Sequence, residues 1–184
     1  MNARVLFTLL SLLAIPCGTQ AQSTGPRAPV APSASYTEAR AHMRRALLAI
    51  EGDAPASFFA AQGSAGRDVL LAMLVDSSEP LMFRRRAAVV LHHYPEPIVF
   101  AALVARAIDT TEDAIVSRYA LRTLGRAFGA AAFEVIAARL DDPRAFVREG
   151  AALSLTALDA GRAAPCLRAR LAIEPEAFVR SALE

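Results

Sequence analysis

The chain has 184 residues, which is enough for one domain with a buried core and too few for two. It carries 20 basic side chains, all of them arginine, and 18 acidic ones. The resulting formal charge of +2 gives no long-range field for gathering nucleic acid or anionic lipid, so the composition argues against both as partners.

The first 21 residues have the pattern of a secretory signal peptide. Met1–Arg4 is basic, Val5–Ile15 is apolar, and Thr19-Gln20-Ala21 offers small residues to a signal peptidase. The apolar run spans about 16 Å as a helix, well short of the ~30 Å hydrocarbon core of a membrane. We therefore predict cleavage near Ala21, no membrane span, and a periplasmic or secreted mature protein.

Cys17 leaves a second interpretation open, because a cysteine just after an apolar run is the lipidated residue of bacterial lipoproteins. Pro16 stands directly before it, where a lipoprotein signal usually has glycine or alanine. We prefer ordinary cleavage and keep a lipid anchor at Cys17 as the alternative. After cleavage Cys166 is the remaining cysteine, so an intramolecular disulfide is excluded.

The rest of the chain divides into a linker and a folded domain. Residues 22–35 are rich in proline, alanine and serine without an apolar period, which predicts a flexible linker. The folded domain is predicted over 36–184. Its predicted parts are an irregular unit at 36–76, repeats at 78–109, 111–141 and 142–173, and a partial repeat at 174–184.

An internal repeat of about 32 residues is the main signal. The segments 142–148 and 174–180 share five of seven residues, and weaker copies begin at 78 and 111. Each unit reads as two helices, because apolar residues recur at three- and four-residue spacing and no stretch alternates with period two. Ser78, Thr111 and Asp142 are predicted N-caps of the first helices.

The second helices are predicted over 98–108, 130–140 and 163–173, after breaks at Pro95-Glu96-Pro97, Gly129 and Gly161. In the first unit, a helix at 36–50 is predicted to pair with one at 67–75. The segment 51–66 between them contains several glycines and prolines and reads as irregular.

The series Asp142-Pro143, Val147-Arg148, Ala151 and Leu155 resembles the short bacterial HEAT-like repeat. The resemblance implies an all-α fold, a right-handed α-solenoid of about four stacked helix pairs. It also implies a ladder in which an acid at one helix start meets an arginine of a neighbouring repeat. The ladder residues predicted on this basis are Asp142, Arg148, Glu174, Arg180 and Arg84.

Two departures from this family pattern weaken the ladder. Ser78 and Thr111 stand where the later units have an acid, and Ser117 stands where they have arginine. In the run Arg84-Arg85-Arg86, we interpret the first as a ladder residue and the other two as solvated neighbours. The tetratricopeptide pattern is rejected, because it would need apolar residues at Asp141 and Arg144.

Two sets of residues are candidate protein-binding sites. Arg106, Arg139 and Arg170 recur near the ends of successive second helices and are a candidate stripe for an acidic partner. The alternative is that they cap helix carbonyls. Phe58 and Phe59, if carried on a loop, are candidate anchors for a partner. The alternative is a short helix that buries both rings.

No constellation in the sequence points to catalysis. His92-His93 lacks the spacing of a metal site, Gly63-Ser64-Ala65-Gly66 lacks that of a nucleophile elbow, and Cys166 has no histidine near it in sequence. We predict no cofactor, no metal and no enzymatic activity. The leading hypothesis is an exported scaffold that binds another protein. The alternatives are a HEAT-like enzyme related to lyases, or a lipid-anchored accessory subunit of an envelope complex.

Overall fold

Helices form the regular secondary structure of the residues described here, 34–48 and 55–184 in a computed structural model, and no strand occurs among them. The all-α class is therefore confirmed for this part of the chain. The predicted signal peptide, the possible lipid anchor and most of the linker lie outside the described residues. The α-helices are α1 (Ala34–Leu47), α2 (Ala56–Val75), α3 (Leu81–Val90), α4 (Pro97–Ile108), α5 (Ala114–Phe128), α6 (Phe133–Ala137), α7 (Ala145–Leu171) and α8 (Ala177–Leu183). Short 3-10 helices occupy Leu91–His93, Gly129–Ala132 and Ala138–Asp141.

Each predicted unit contains one or more of these helices, and its boundaries stay a prediction. The unit at 78–109 is the pair α3 and α4, and the unit at 111–141 is α5 followed by α6 with its flanking 3-10 turns. The unit at 142–173 is α7, and α8 begins the partial unit after it. The first helices pack side by side, since α5 lies against both α3 and α7, and α8 lies against α7. This arrangement fits an α-solenoid, while its handedness stays a prediction.

The core runs continuously between successive units. Leu121 and Leu124 of α5, Ile136 of α6 and Leu155 of α7 are all fully buried. Leu121 and Leu124 are three residues apart and therefore lie on one face of α5, which is the side that this helix buries. Fully burying a side chain of this size contributes roughly 1.5–3 kcal/mol to folding. Because each unit shares its apolar face with the next, the units are stabilised by stacking.

The N-terminal unit is more regular than the sequence predicts. Residues 56–66, expected to be irregular, belong to α2, whose later part contains the predicted helix at 67–75. A kink at Gly63 divides α2, with φ 52° and ψ −147°. This positive φ costs glycine little, because it has no Cβ. The predicted helix at 36–50 begins earlier, at Ala34, and its described part ends at Leu47.

The predicted N-caps Ser78 and Thr111 are wrong. Each donates its backbone N–H and its hydroxyl to the aspartate two residues before it, Asp76 for Ser78 and Asp109 for Thr111. The helix that follows Thr111 is capped instead by Asp113, whose Oδ1 accepts the N–H of Ile115 at 2.8 Å. A serine or threonine that bonds the aspartate two residues before it stabilises a turn that precedes the helix, so its hydroxyl does not cap the helix.

The third unit contains no separate loop between its helices. Asp159 interrupts α7 with φ −163° and ψ 91°, two residues before the break predicted at Gly161. Its Oδ1 then accepts the backbone N–H of Arg162 at 2.9 Å. An aspartate that bonds an N–H three residues later is an N-cap, so one residue ends the first helix and starts the second.

Candidate functional site

Four acids are buried at the starts of successive units. They are Glu79, Glu112, Asp142 and Glu174, and each is less than 10% exposed. Glu79 and Glu112 follow directly after Ser78 and Thr111, where the sequence comparison finds the acid missing. The first two units therefore do carry the acid, displaced by one residue.

Arginines of the preceding units reach these acids. Arg148 donates to both carboxylate oxygens of Glu174, from Nε at 2.8 Å and from Nη2 at 2.7 Å. Arg84 donates from Nη2 to Oε2 of Glu112 at 2.6 Å, and its Nε bonds the carbonyl of Leu74. In the first unit Glu79 accepts from Arg40 and Arg44 of α1. These contacts tie each unit to its neighbour.

Two predicted ladder residues, Arg180 and Asp142, lack the hydrogen-bonded ion pair between neighbouring units that the others form. Arg180 does not reach a later acid among the described residues, and it bonds the carbonyls of Glu174 and Pro175. Asp142 is met by Arg144, two residues further along its own unit. The position in the preceding unit from which a ladder arginine would reach Asp142 is Ser117.

The contacts with arginine hold two of these acids, Glu174 and Asp142, in their charged form. The hydrogen bond from Arg148 lowers the pKa of Glu174 to about 2, against the opposing effect of burial. Burial also opposes ionisation of Asp142, but hydrogen bonds from the side chain and backbone of Arg144 leave its pKa below the usual value. Charges stabilised in this way bind the units together and are not poised for proton transfer at neutral pH.

The predicted stripe of Arg106, Arg139 and Arg170 is occupied within the chain. Arg106 Nη1 lies 3.1 Å from Glu112, Arg139 Nη1 lies 3.9 Å from Asp142, and Arg170 Nε lies 2.9 Å from Glu174. Each of these arginines is therefore a second cation for a ladder acid. Because each of these arginines lies beside an acid of its own chain, the structure favours a role within the fold over a free stripe for an acidic partner.

Phe58 and Phe59 lie in the first part of α2. Phe59 is completely buried, its ring stacks on His93 with centroids 4.5 Å apart, and its carbonyl accepts the Tyr94 hydroxyl at 2.7 Å. Phe58 is half-buried and stacks on His42. The alternative, a helix that packs the rings into the first unit, is what the structure contains. Phe59 is thus unavailable as an anchor for a partner.

A groove of about 620 Å³ lies across the first helices of three units. Tyr119, Arg122 and Arg126 of α5 are three and four residues apart, so they share a face of that helix. α5 carries Tyr119, Arg122 and Arg126 in the lining, α3 carries Val89, and α7 supplies Leu153, Ser154, Ala157 and Leu158. We call this surface the α5 groove.

Arginines surround the tyrosine of the α5 groove. The guanidinium carbons of Arg85, Arg118 and Arg122 lie 5.5, 5.6 and 5.9 Å from the centre of the Tyr119 ring, within the range of a cation–π interaction. Arg118 is paired with Glu149 at 2.6 Å. Arg85, Arg122 and Arg126 form no ion pair with any acid in residues 34–48 and 55–184. Two uncompensated positive charges, Arg122 and Arg126, therefore line the α5 groove beside apolar residues, and a third, Arg85, lies next to the groove against the Tyr119 ring.

The α5 groove is not among the sites predicted from the sequence. Arg85 and Arg86 are predicted there as solvated residues, whereas in the structure Arg85 approaches Tyr119 and Arg86 donates to the carbonyl of Leu47. A signal was present in α5, where Arg118, Arg122 and Arg126 recur every four residues and share one face. The pairing of Arg118 with an acid of α7, however, depends on how the units stack.

The remaining candidates have local structural contacts. Nδ1 of His92 bonds the carbonyl of Val89, and Cys166 donates its thiol to the carbonyl of Ala163. Within the described part of the chain, no group of three or more histidine, cysteine, aspartate or glutamate residues is arranged to hold a metal ion. No helix there has both the length and the apolar character needed to cross a membrane.

Comparison with known families agrees with the repeat found here. Residues 107–184 match the family described as HEAT repeats, which covers the units built from α5, α7 and α8. The resemblance to HEAT-like repeats is thereby confirmed for this part of the chain. No curated protein matches the sequence.

Proposed function

We propose that this protein, whose residues 107–184 are HEAT repeats, is a non-catalytic scaffold that binds another protein through the α5 groove. The observation that carries the proposal is the contrast in charge between the ladder and the α5 groove. Every ladder acid has an arginine partner, whereas Arg85, Arg122 and Arg126 have no acid among the described residues. Uncompensated charge beside an apolar surface is typical of a recognition site.

A binding role also suits the architecture. Stacked helix pairs offer an extended surface, and sites on such surfaces come from several units at once. The α5 groove has this property, since α3, α5 and α7 belong to three successive units. The buried charges of the ladder are explained by packing between units, so no acid of the ladder is left over for a catalytic role.

We further propose that the protein acts in the periplasm or outside the cell, after removal of residues 1–21. The basic, apolar and small-residue segments of that stretch support this location. Sequencing the N-terminus of the protein recovered from cells tests it, and a first residue of Gln22 is expected. Blocked processing of Cys17→Ser would support the lipid-anchored alternative instead.

The binding proposal is tested by photo-crosslinking in the cells that make the protein. A photoreactive amino acid replaces Leu153, which lines the α5 groove and is 36% exposed. The matched control carries it at Arg168, an exposed position whose side chain bonds a carbonyl of its own helix. We expect a discrete crosslinked protein from position 153 that is absent from the control and lost in Arg122→Glu/Arg126→Glu. Equal products from both positions, or none from either, would refute the scaffold proposal.

A further inference from the structure

We infer that the α5 groove recognises an acidic segment of its partner, in which two or more carboxylates flank a large apolar side chain. This inference rests on the proposed function, because it specifies the chemistry of the occupant of the same site. The occupant that we infer is a segment of a protein.

We expect the bound segment to be negatively charged, because the acids around the α5 groove are engaged in other contacts. Glu149, on α7, is taken by Arg118, and Glu112 is taken by Arg84 and Arg106. Asp113 at the start of α5 bonds the N–H of Ile115, and Asp159 beyond the far end of the groove bonds the N–H of Arg162. Two of these acids thus pair with other arginines, and the other two cap the starts of helices.

The uncompensated arginines also repel one another. Arg122 and Arg126 are four residues apart on one face of α5, and like charges at this spacing destabilise a helix. Arg85 approaches the same Tyr119 ring as Arg122 from α3. A carboxylate between these guanidinium groups relieves the repulsion and accepts charge-assisted hydrogen bonds, which are stronger than neutral ones. Two carboxylates would serve the three cations.

The apolar residues that line the α5 groove indicate that the bound segment carries an apolar side chain. Val89, Leu153 and Leu158 line the α5 groove from two helices, and Leu153 is among the exposed large apolar residues of the chain. A volume of about 620 Å³ is larger than one side chain and falls in the range of sites that enclose several groups. A leucine or phenylalanine between two acids would cover these apolar residues.

The alternatives fit less well. Residues 1–33 of this chain contain Arg4 and Arg27 but no acid, so that segment does not complement the α5 groove. A nucleic acid would present phosphates to the same arginines, but its binding depends on many phosphate contacts, whereas the whole chain has a formal charge of +2. A phosphodiester backbone also leaves the apolar residues of the groove uncovered. An acidic and apolar segment of a partner protein satisfies both halves of the surface.

The test measures binding of fluorescein-labelled probes to the full chain, as processed by the producing cells, by fluorescence anisotropy. The probe is a synthetic peptide of four Glu-Glu-Leu repeats. Matched probes replace every glutamate by glutamine, or every leucine by serine, and a thymidine oligonucleotide of similar charge is the nucleic-acid probe. Arg122→Glu/Arg126→Glu and Leu153→Ser are the variants, and Arg168→Glu is the control with one equivalent exposed charge reversal.

We expect the Glu-Glu-Leu peptide to bind at least about tenfold more weakly to Arg122→Glu/Arg126→Glu than to the wild type or Arg168→Glu, because charge-assisted bonds are lost. Both replacement peptides and Leu153→Ser should also weaken binding, and added salt should weaken it further. Circular dichroism confirms that the variants remain folded.

Two results would overturn the inference. They are equal binding of the peptide by wild type and double variant, or tighter binding of the oligonucleotide than of the peptide. If the acidic peptide fails while position 153 still crosslinks to a protein in cells, the chemistry assigned to the occupant is wrong and the scaffold stands. A self-crosslink from position 153 would identify a second copy of the chain as the occupant instead.

Discussion

Arg144 contacts the start of α5 in place of a ladder arginine, because the ladder position in that helix is occupied by Ser117. Its Nη1 donates to the carbonyls of Asp109 and Glu112, at 3.2 and 2.8 Å, and lies 3.4 Å from the Ser117 hydroxyl. In the next unit Arg148 donates in the same way to the carbonyls of Asp142 and Pro143, both at 3.0 Å. A side chain of the later unit thus serves the helix start of the earlier one.

Replacing Arg144 by alanine should therefore destabilise the fold. The change leaves the buried Asp142 with Arg139 at 3.9 Å as its remaining cation and frees two carbonyls, so we expect a loss of about 2–4 kcal/mol. Adding Ser117→Arg should restore much of the stability, since the ladder arginine then returns to its usual position. Unfolding in urea measures both effects. Arg168→Ala is the control, and a double variant no more stable than Arg144→Ala would contradict the assignment.

The pair of Arg148 and Glu174 should behave as one unit. Both side chains are buried. Removing Glu174 leaves Arg148 without its acid, which costs roughly 3–5 kcal/mol, whereas removing Arg148 leaves Glu174 with Arg170 as its remaining cation and should cost less. The double variant Arg148→Met/Glu174→Gln should lose less free energy of unfolding than the two single variants lose in sum. A double-mutant cycle in urea measures this coupling. The comparison pair is Arg162 and Glu134, exposed on both sides, where we expect about 1 kcal/mol or less.

Stability should also depend on the ionisation of Glu174. Its folded pKa of about 2 lies below the ordinary value of 4.5, so its charge stabilises the fold fully above pH 4.5 and progressively less as the pH falls towards 2. Glu174→Gln should therefore lose less stability than the wild type between pH 5 and 3, although it is less stable at pH 7. Urea midpoints at several pH values test this. Parallel pH curves for the two proteins would show that Glu174 is not responsible.

Two glycines of α7 should respond in opposite directions to alanine. A Cβ on Gly150 would lie 2.7 Å from Cγ and 3.1 Å from Cα of Arg118, so Gly150 is needed for the close approach of α7 to α5. Gly150→Ala should cost about 1–3 kcal/mol. Gly161 is exposed and a Cβ there meets Asp159 Oδ1 at 3.4 Å, so Gly161→Ala should stabilise by up to about 1 kcal/mol. Thermal unfolding compares them, and equal responses would contradict the packing described.

The repeat was predictable because its signals are local. The motif shared by 142–148 and 174–180, the proline and glycine breaks and the apolar spacing all act within one unit, and α4, α5 and α7 lie where these patterns indicate. The displaced acids Glu79 and Glu112 were missed because a carboxylate side chain can reach the same arginine from the next residue. The position of an acid within the repeat therefore predicted its arginine partner less well than the distance between side chains of neighbouring units did.

The site was less predictable because it depends on pairings between units. In the sequence Arg106 and Arg122 look alike, as exposed helical arginines of equal charge. The stacking gives Arg106 an acid at 3.1 Å and gives Arg122 none among the described residues. Likewise, the sequence left Phe59 open between a loop and a short helix that buries it. The structure contains the helix, with Phe59 in α2 before the kink at Gly63 and its ring against His93. Which charge stays unpaired is a property of the assembled stack.

The reach of Arg144 limits how this protein can change its number of units. Unequal recombination lengthens or shortens repeat proteins by whole units, and a unit with its own complete set of contacts can be copied or deleted independently. The unit at 111–141 lacks such a set, because its helix start depends on Arg144 of the unit after it. Removing the unit at 142–173 alone would take Arg144 away from the start of α5, so these two units depend on each other.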